Sequence, residues 1–270
     1  MDLSLVGKTA AVASVLTATN PVEIIKLRMQ TSYELFKTGK VTQNISTITE
    51  CVTSMAEKEG LRSFWKGNTV GILRFFPNEF INYKARGFYQ DFVPNTLSSN
   101  ITVAVLGGWT ASSILYPCDI LRQVLGTNTD KEVKTFKTIQ GIVRNQGPRY
   151  FYKGYINSLL NTALFRASFN GSFDTVKSSA ETSNQKTLLA YLCASLAGGI
   201  CYPIDIVRKR RILLNSAEGF LTFASNIWRH EGIKGFYKGS GLIPLQSITG
   251  TVILLIFDTA GRRAGESKLD

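Results

Sequence analysis

Three hexapeptides place an acid two residues after a proline and a base three residues after the acid: Pro21-Val22-Glu23-Ile24-Ile25-Lys26, Pro117-Cys118-Asp119-Ile120-Leu121-Arg122 and Pro203-Ile204-Asp205-Ile206-Val207-Arg208. Random placement of the 7 prolines, 19 acids and 31 bases gives about 0.06 such strings in the chain. Three of them, at intervals of 96 and 86 residues, mark an internal repeat. An acid and a base three apart share one face of a helix, and a proline inside the helix removes one hydrogen bond and bends it. The chemistry on offer is therefore ion pairing beside a bend, a contact that can be made and broken. A second signature follows each hexapeptide: Glu59-Gly60 with Trp65-Lys66-Gly67, Gln146-Gly147 with Tyr152-Lys153-Gly154, and Glu231-Gly232 with Tyr237-Lys238-Gly239. Helix N-terminal amides next to a basic side chain make a phosphate site, the alternative being a plain helix start.

Bond-making chemistry has little support. His230 is the only histidine, and Cys51, Cys118, Cys193 and Cys201 lie far apart without a CxxC pair. Neither a zinc site nor a disulfide framework has ligands at workable spacing, and free thiols in a reducing compartment are expected. No nucleophile, metal set or glycine-rich phosphate loop appears, so the chain does not read as an enzyme and no cofactor or metal is expected.

The elements that hold these motifs come from the same repeat. Each unit of roughly 90 residues opens with an apolar, small-residue-rich segment leading into the proline (Leu3 to Met29, Ile101 to Leu125, Thr187 to Leu214). A second long segment starts after the aromatic-Lys-Gly element (Val70 to Phe92, Ser158 to Lys177, Leu242 to Arg262). At about 1.5 Å per residue all six reach the roughly 30 Å of a bilayer core, which predicts six spanning helices with both termini on one side. Shorter amphipathic stretches near Ile45 to Lys58, Phe136 to Asn145 and Phe220 to Arg229 suit helices lying at the surface. Polar residues interrupt every long segment, as expected where one face lines a water-filled cavity. Gly7 and Ala11, Gly107 and Ala111, and Ala194 and Gly198 would allow close helix approach.

Composition agrees. Of 270 residues 44% are hydrophobic, and 31 Lys and Arg against 19 Asp and Glu give a net charge of +12, which calls for an anionic partner. The charges are dispersed over the repeats and no RRM, zinc-finger or basic-helix motif is present, so nucleic acid is not that partner. Met1 to Asn20 lacks a basic region followed by a cleavable site and is expected to remain in the mature protein.

Px[DE]xx[KR] three times, each followed by [DE]Gxxxx[WYF][KR]G with Gln146 replacing one acid, resembles the mitochondrial carrier family over essentially the whole chain. The resemblance implies an all-α membrane protein of the mitochondrial inner membrane or a related organelle. Its six transmembrane helices would form a threefold pseudosymmetric bundle, with repeats at 1–95, 96–182 and 183–270 and short surface helices on the matrix side. It also implies alternating access to a central site. Bent at Pro21, Pro117 and Pro203, three helices would converge so that Glu23, Asp119 and Asp205 meet Lys26, Arg122 and Arg208 of neighbouring repeats and close a matrix gate. Gln30 stands where carriers place a brace of this network, whereas Gly126 and Ile212 hold the equivalent positions. A cytoplasmic gate, [FY][DE]xx[KR] in the family, is complete only at Phe173-Asp174-Thr175-Val176-Lys177. Asp258 keeps the acid without the base, and repeat one reads Ala85-Arg86-Gly87-Phe88-Tyr89-Gln90. Cardiolipin is the implied lipid partner at Gly60, Lys66, Gly67, Gly147, Lys153, Gly154, Gly232, Lys238 and Gly239.

Within the family the chain resembles ADP/ATP carriers at Gly67-Asn68, Arg74-Phe75-Phe76-Pro77, Phe165-Arg166-Ala167-Ser168-Phe169 and Tyr202 to Leu214. It departs at Leu16, at Asn161-Thr162, at Gln246 and in Arg208-Lys209-Arg210-Arg211-Ile212-Leu213. A nucleotide's phosphates need several cationic donors, which Arg74, Arg166, Lys209 and Arg210 could supply, while Phe165 could stack on a base or pack in the core. With Asn161, Thr162 and Gln246 these form the candidate substrate site. Three readings follow: exchange of an anionic nucleotide, carriage of another anionic solute, or a transport-inactive membrane subunit associated with a respiratory complex.

Overall fold

The computed structural model describes residues 3–41, 44–92, 97–176, 183–216 and 218–266, and within them the side chains of 10–41, 44–92, 101–176, 185–216, 218–253 and 255–256. Among the described residues helix is the only regular secondary structure. The three proline-bearing helices are α1 (Leu3–Lys37), α4 (Leu97–Thr127) and α7 (Ser183–Leu213); the segments after the aromatic-Lys-Gly elements are α3 (Asn68–Gln90), α6 (Tyr155–Val176) and α9 (Ile243–Glu266). Between them run the surface helices α2 (Ile48–Lys58), α5 (Thr135–Gln146) and α8 (Phe220–Phe236). Contacts run α1 to α3, α3 to α4, α4 to α6, α6 to α7, α7 to α9 and α9 back to α1, so the bundle closes on itself. In addition α1, α4 and α7 touch one another pairwise, the convergence that a bend in each would produce.

Stretches of α1, α4 and α7 (Ala10–Lys37, Ile101–Thr127 and Gln185–Leu213) are long and apolar enough to cross a membrane. Helices α3, α6 and α9 have 23, 22 and 24 residues and so reach the same thickness, but carry more polar side chains. The outside of the bundle is apolar: Leu188, Leu192, Leu196 and Ile200 form an exposed four-residue stripe along α7, and Leu73, Phe80 and Tyr83 are exposed on α3. Such surface suits acyl chains, not water.

Each helix passes through its proline without interruption. Pro21 has no N–H to give the carbonyl of Thr17, and the Trp65 indole nitrogen donates to that oxygen instead at 2.9 Å. The residue before each proline ties its helix to the aromatic-Lys-Gly element: the Asn20 amide donates to the Phe64 carbonyl at 2.8 Å, Tyr116 to that of Lys153 at 2.6 Å and Tyr202 to that of Lys238 at 2.7 Å. The paired glycines of the second signature all sit at positive φ: Gly60 (83°), Gly67 (77°), Gly147 (79°), Gly154 (72°), Gly232 (65°) and Gly239 (83°). A side chain there is strained, which accounts for glycine at both ends of the motif. At its other end α2 starts in a capping box, Thr47 accepting from the Glu50 N–H and Glu50 from that of Thr47. The backbone N–H groups of Ser46 and Thr47 hold the Glu50 carboxyl below its ordinary pKa.

Small residues set the approach of the helices. A Cβ on Gly107 would lie 2.9 Å from Arg86 Cγ and one on Gly108 2.2 Å from Arg166 Nε, so α4 can seat both arginines only with glycines there. Ala111 is fully buried one turn on, and a Cβ on Gly198 would come within 3.1 Å of Ile243 on α9. Gly7 has no described side-chain surroundings.

Candidate functional site: a charged floor beneath an aromatic-walled cavity

Where α1, α4 and α7 converge, the charged residues of the hexapeptides meet, though in a different set of pairs from the expected one. Glu23 pairs with Arg122 across the first and second repeats, and Arg122 also donates to Asn20 Oδ1 at 3.0 Å. Asp119 does not meet Arg208; it pairs with Arg74 of α3, whose Nη2 donates to Oδ2 at 2.9 Å. Asp205 does not bond Lys26 but is held on its own helix by Lys209 at 2.6 Å and Arg208 at 3.4 Å. The reason is reach: Lys209 lies one turn from Asp205 on a rigid helix, whereas Lys26 must cross from another. Lys26 instead donates to Gln246 of α9 and lies 5.1 Å from the centre of the Tyr202 ring. Arg208 also turns to α6, donating to Ser158 Oγ at 3.0 Å.

Gln30 is fully buried at the centre of this network. Its amide donates to Asp205 at 3.2 Å, its side-chain oxygen accepts from Lys209 at 2.9 Å, and its backbone carbonyl accepts from Arg210 Nε at 2.7 Å. One side chain thus binds repeat one to repeat three. At the equivalent position in repeat two, a Cβ on Gly126 would lie 2.7 Å from Leu27, so this position is filled by packing.

Above the floor is a cavity of about 500 Å³. Lys26, Asp205 and Lys209 form its charged end, Asn161, Phe165 and Phe169 come from α6, Ala190, Ala194 and Gly198 from α7, and Gln246, Ser247, Gly250 and Thr251 from α9. The rings of Phe165, Phe169 and Phe173 stack nearly parallel along α6, with centroids 6.3 and 5.8 Å apart. Asn161 Oδ1 is buried without a donor. Of the candidate substrate residues, Asn161, Phe165, Lys209 and Gln246 line this space; Thr162, Arg74, Arg166 and Arg210 do not. Arg166 lies against Gly108 and donates to Asn82 Oδ1 and the Ala104 carbonyl, each at 3.0 Å, so its guanidinium is held by neutral oxygens.

Arg210 requires a correction. One residue beyond Lys209 means a rotation of about 100°, which turns Arg210 off the cavity and toward α8. It is fully buried, binds both oxygens of Glu231, also donates to the Gly235 carbonyl at 3.4 Å and lies over the Tyr33 ring. It holds a surface helix and is not available to a solute. The same tie recurs in repeat one, where Arg28 donates to Glu59 at 2.8 Å and to the Asn128 carbonyl at 2.6 Å. Sequence reasoning missed Arg28, although its signal was present. A base stands two residues after the hexapeptide in repeats one and three, where the downstream acid is kept. Repeat two has Val124 there, and Gln146 in place of the acid.

The three lysines of the aromatic-Lys-Gly elements each reach into the next repeat: Lys66 to the Asn128 carbonyl at 2.8 Å, Lys153 to Asn215 Oδ1, and Lys238 to Asn44 Oδ1 at 2.7 Å. Lys66 is also paired with Glu59 and buried, so its ammonium is not offered to a headgroup; burial pulls its pKa below the ordinary lysine value. At the opposite end of the bundle, Asp174 closes α6 near the Phe173 ring, Lys177 lies outside the described residues, and the side chain of Asp258 lies outside the described side chains.

These features can be set beside known proteins. The mitochondrial carrier protein family matches residues 2–97, 93–184 and 179–266. Human ADP/ATP translocase 4 is 28% identical over 284 residues, covering 95% of this chain and 89% of that protein. The ADP,ATP carrier protein of Parachlorella kessleri is 28% identical, covering 94% and 82%. ADP,ATP carrier protein 3 of Saccharomyces cerevisiae is 26% identical, covering 93% and 90%. Three matched repeats, a closed ring of long helices and a charged floor where the proline-bearing helices converge lead to one conclusion: the chain belongs to the mitochondrial carrier family, as a multi-pass protein of the mitochondrial inner membrane that is a transporter and not an enzyme.

Proposed function

We propose that this carrier exchanges an anionic nucleotide of the ADP/ATP kind by alternating access. The observation that carries the reading is the cavity itself: about 500 Å³, within the size of small-molecule sites, with Lys26 and Lys209 at one end and the Phe165 and Phe169 rings along one wall. A base can stack on the rings while the phosphates turn toward the lysines. The floor holds five cations (Lys26, Arg74, Arg122, Arg208, Lys209) against three carboxylates (Glu23, Asp119, Asp205), leaving two positive charges for a solute to neutralise. The named relatives, all ADP/ATP carriers, support the same class.

In this reading, solute binding above the floor supplies the free energy that breaks the floor's ion pairs. These pairs are partly screened from water and cost their desolvation on forming, so their net worth is modest and the gate can open. Cardiolipin at the glycine-flanked helix starts is part of the proposal, with the partly exposed Lys153 and Lys238 as its cations and backbone N–H groups as phosphate donors. A second reading, carriage of a different anionic solute, draws on Arg210 being spent on Glu231 and on Gln246 standing at the cavity.

The test is reconstitution in liposomes, following uptake of labelled ADP against internal ATP. Exchange that depends on internal nucleotide supports the proposal. Uptake of other anions with nucleotides inert transfers support to the second reading.

A further inference from the structure

Under the surface helix α2, where repeat one meets repeat two, lies a second cavity of about 230 Å³. Its polar lining is Arg28 of α1, Lys40 of the turn after α1, Ser54 and Lys58 of α2, Glu59, and Thr129 from the loop after α4; apolar side chains close the rest. This lining shares no residue with the cavity above the floor or with the glycine-flanked helix starts offered to cardiolipin. The wall is short of negative charge. Arg28 and Lys66 donate to the same oxygen, Glu59 Oε2, and both also donate to the Asn128 carbonyl, at 2.6 and 2.8 Å. The side chains of Arg28, Lys66 and Glu59 are 3%, 6% and 8% exposed, so two buried cations share one buried carboxylate, and Arg28 Nε is left without an acceptor. Asp130, the other acid whose field reaches Lys66, is exposed and lines a separate groove. Lys40 and Lys58 add two exposed ammonium groups on the cavity side.

Repeat three builds the same cavity with the charge reversed. The space under α8, about 190 Å³, is lined by Asn226, Ile227, His230 and Glu231, which stand before and at their acid as Ser54, Met55, Lys58 and Glu59 do in repeat one. There Arg210 binds both oxygens of Glu231, Lys238 bonds Asn44 instead of sharing that acid, and Glu34 and Glu218 join Glu231 against the one ammonium of Lys37. A positive excess is therefore particular to the cavity under α2 and is not a general property of the repeat.

We infer that the cavity under α2 is a phosphate-binding site, separate from the path of the transported solute. Charge held away from water is retained where opposite charge compensates it, and here one carboxylate faces two buried cations. A phosphate group near pH 7 brings about 1.5 to 2 negative charges and three acceptor oxygens. The donors that would meet it come from different directions, Arg28 from α1, Lys58 and Ser54 from α2, Lys40 and Thr129 from the two flanking turns, which suits a tetrahedral anion better than a flat carboxylate. The apolar remainder of the wall excludes water and so strengthens each of these contacts. The phosphate is free in solution or carried on a lipid headgroup, and the chemistry of recognition is the same for both. The inference does not depend on which solute the central cavity carries.

The test follows trace acetylation of Lys40 and Lys58 by mass spectrometry in the purified full-length carrier. Inorganic phosphate is compared with chloride at equal ionic strength in detergent, and phosphatidylcholine nanodiscs are compared with and without phosphatidic acid. Phosphate, as the free ion or as the lipid headgroup, should slow acetylation of both lysines severalfold where chloride does not. Lys66→Met lies outside the lining but removes the excess buried charge, and should raise the concentration needed for half protection about tenfold. Lys37→Gln, in the cavity under α8, should leave protection unchanged. Protection by inorganic phosphate identifies a free phosphate as the source and protection by phosphatidic acid alone a headgroup; either supports the site if it depends on Lys66. Equal protection by chloride is screening and overturns the inference, as does protection that survives Lys66→Met or is lost equally with Lys37→Gln, or none from either phosphate source. If Lys66→Met cannot be recovered folded, Lys66→Gln, which keeps a donor for Glu59 without the charge, carries the same expectation.

Discussion

Replacing Arg210 by leucine removes a fully buried guanidinium that serves Glu231, the Gln30 carbonyl and the Gly235 carbonyl together. Glu231 would be left with 11% side-chain exposure and without its ion-pair partner, and removing one partner of a buried pair costs about 3 to 5 kcal/mol. Repeat two shows the alternative that the fold accepts, with Val124 and Gln146 where repeats one and three carry the ion pair. Arg210→Val combined with Glu231→Gln should therefore recover part of the loss, with a coupling energy of about 1 to 3 kcal/mol. Cys51, Cys193 and Cys201 are buried and free, so a thiol-reactive dye reports thermal unfolding in detergent without an added label. The expected order of stability is parent, then double variant, then Arg210→Leu, Arg210→Val and Glu231→Gln singly. ADP binding per folded molecule should be unchanged, because Arg210 does not line the cavity. Strictly additive losses, or a solute affinity that falls with Arg210 while stability holds, would refute the assignment of this arginine to the support of α8.

Three further outcomes are expected. Trp65→Phe deprives the Thr17 carbonyl of its substitute donor and should cost about 1 kcal/mol, read as a lower unfolding temperature with solute selectivity intact. Gly71→Ala inserts a methyl group 3.1 Å from the Arg122 guanidinium and should weaken the Glu23 to Arg122 pair, measured as faster modification of a cysteine placed on the floor; unchanged accessibility would show that Arg122 relaxes without losing its partner. Burial pushes the Cys51 thiol up to about 11, so in the folded protein at pH 8 it should resist maleimide while the same residue in denaturant reacts; equal rates would show that the α2 interface opens freely.

The repeat, the helices and the position of the gate were legible because each depends on local pattern. A proline, an acid and a base at fixed spacing, and the glycines at the positive-φ ends of the second signature, declare themselves within ten residues. Even so, the helix limits were short by up to a turn or two: α1 continues to Lys37, eight residues beyond the apolar run, because Thr31, Ser32 and Glu34 are buried by the surface helices and not by lipid. Pairings between repeats were legible only where geometry left one choice, as at Glu23 and Arg122. Asp205 had Lys26, Arg208 and Lys209 within reach, and the i,i+4 partner prevailed because it orders the fewest additional groups.

The departures from threefold symmetry locate where a carrier can specialise. All six glycines of the second signature keep positive φ, and all three lysines keep a bond to the next repeat, so this part of the bundle is built to one plan in every repeat. The cavity walls differ instead. Its lining comes from α1, α6, α7 and α9, with none from α3 or α4, and the position facing Lys26 is the neutral Gln246. On the proposed reading, a solute in this space meets Lys26 of repeat one and Lys209 of repeat three, while Arg74 is engaged by Asp119 outside the lining. The glycine-flanked ties between repeats are threefold, whereas the ion pairs of the floor and the lining of the cavity are not, so it is in the floor and the walls that this carrier departs from its own repeat.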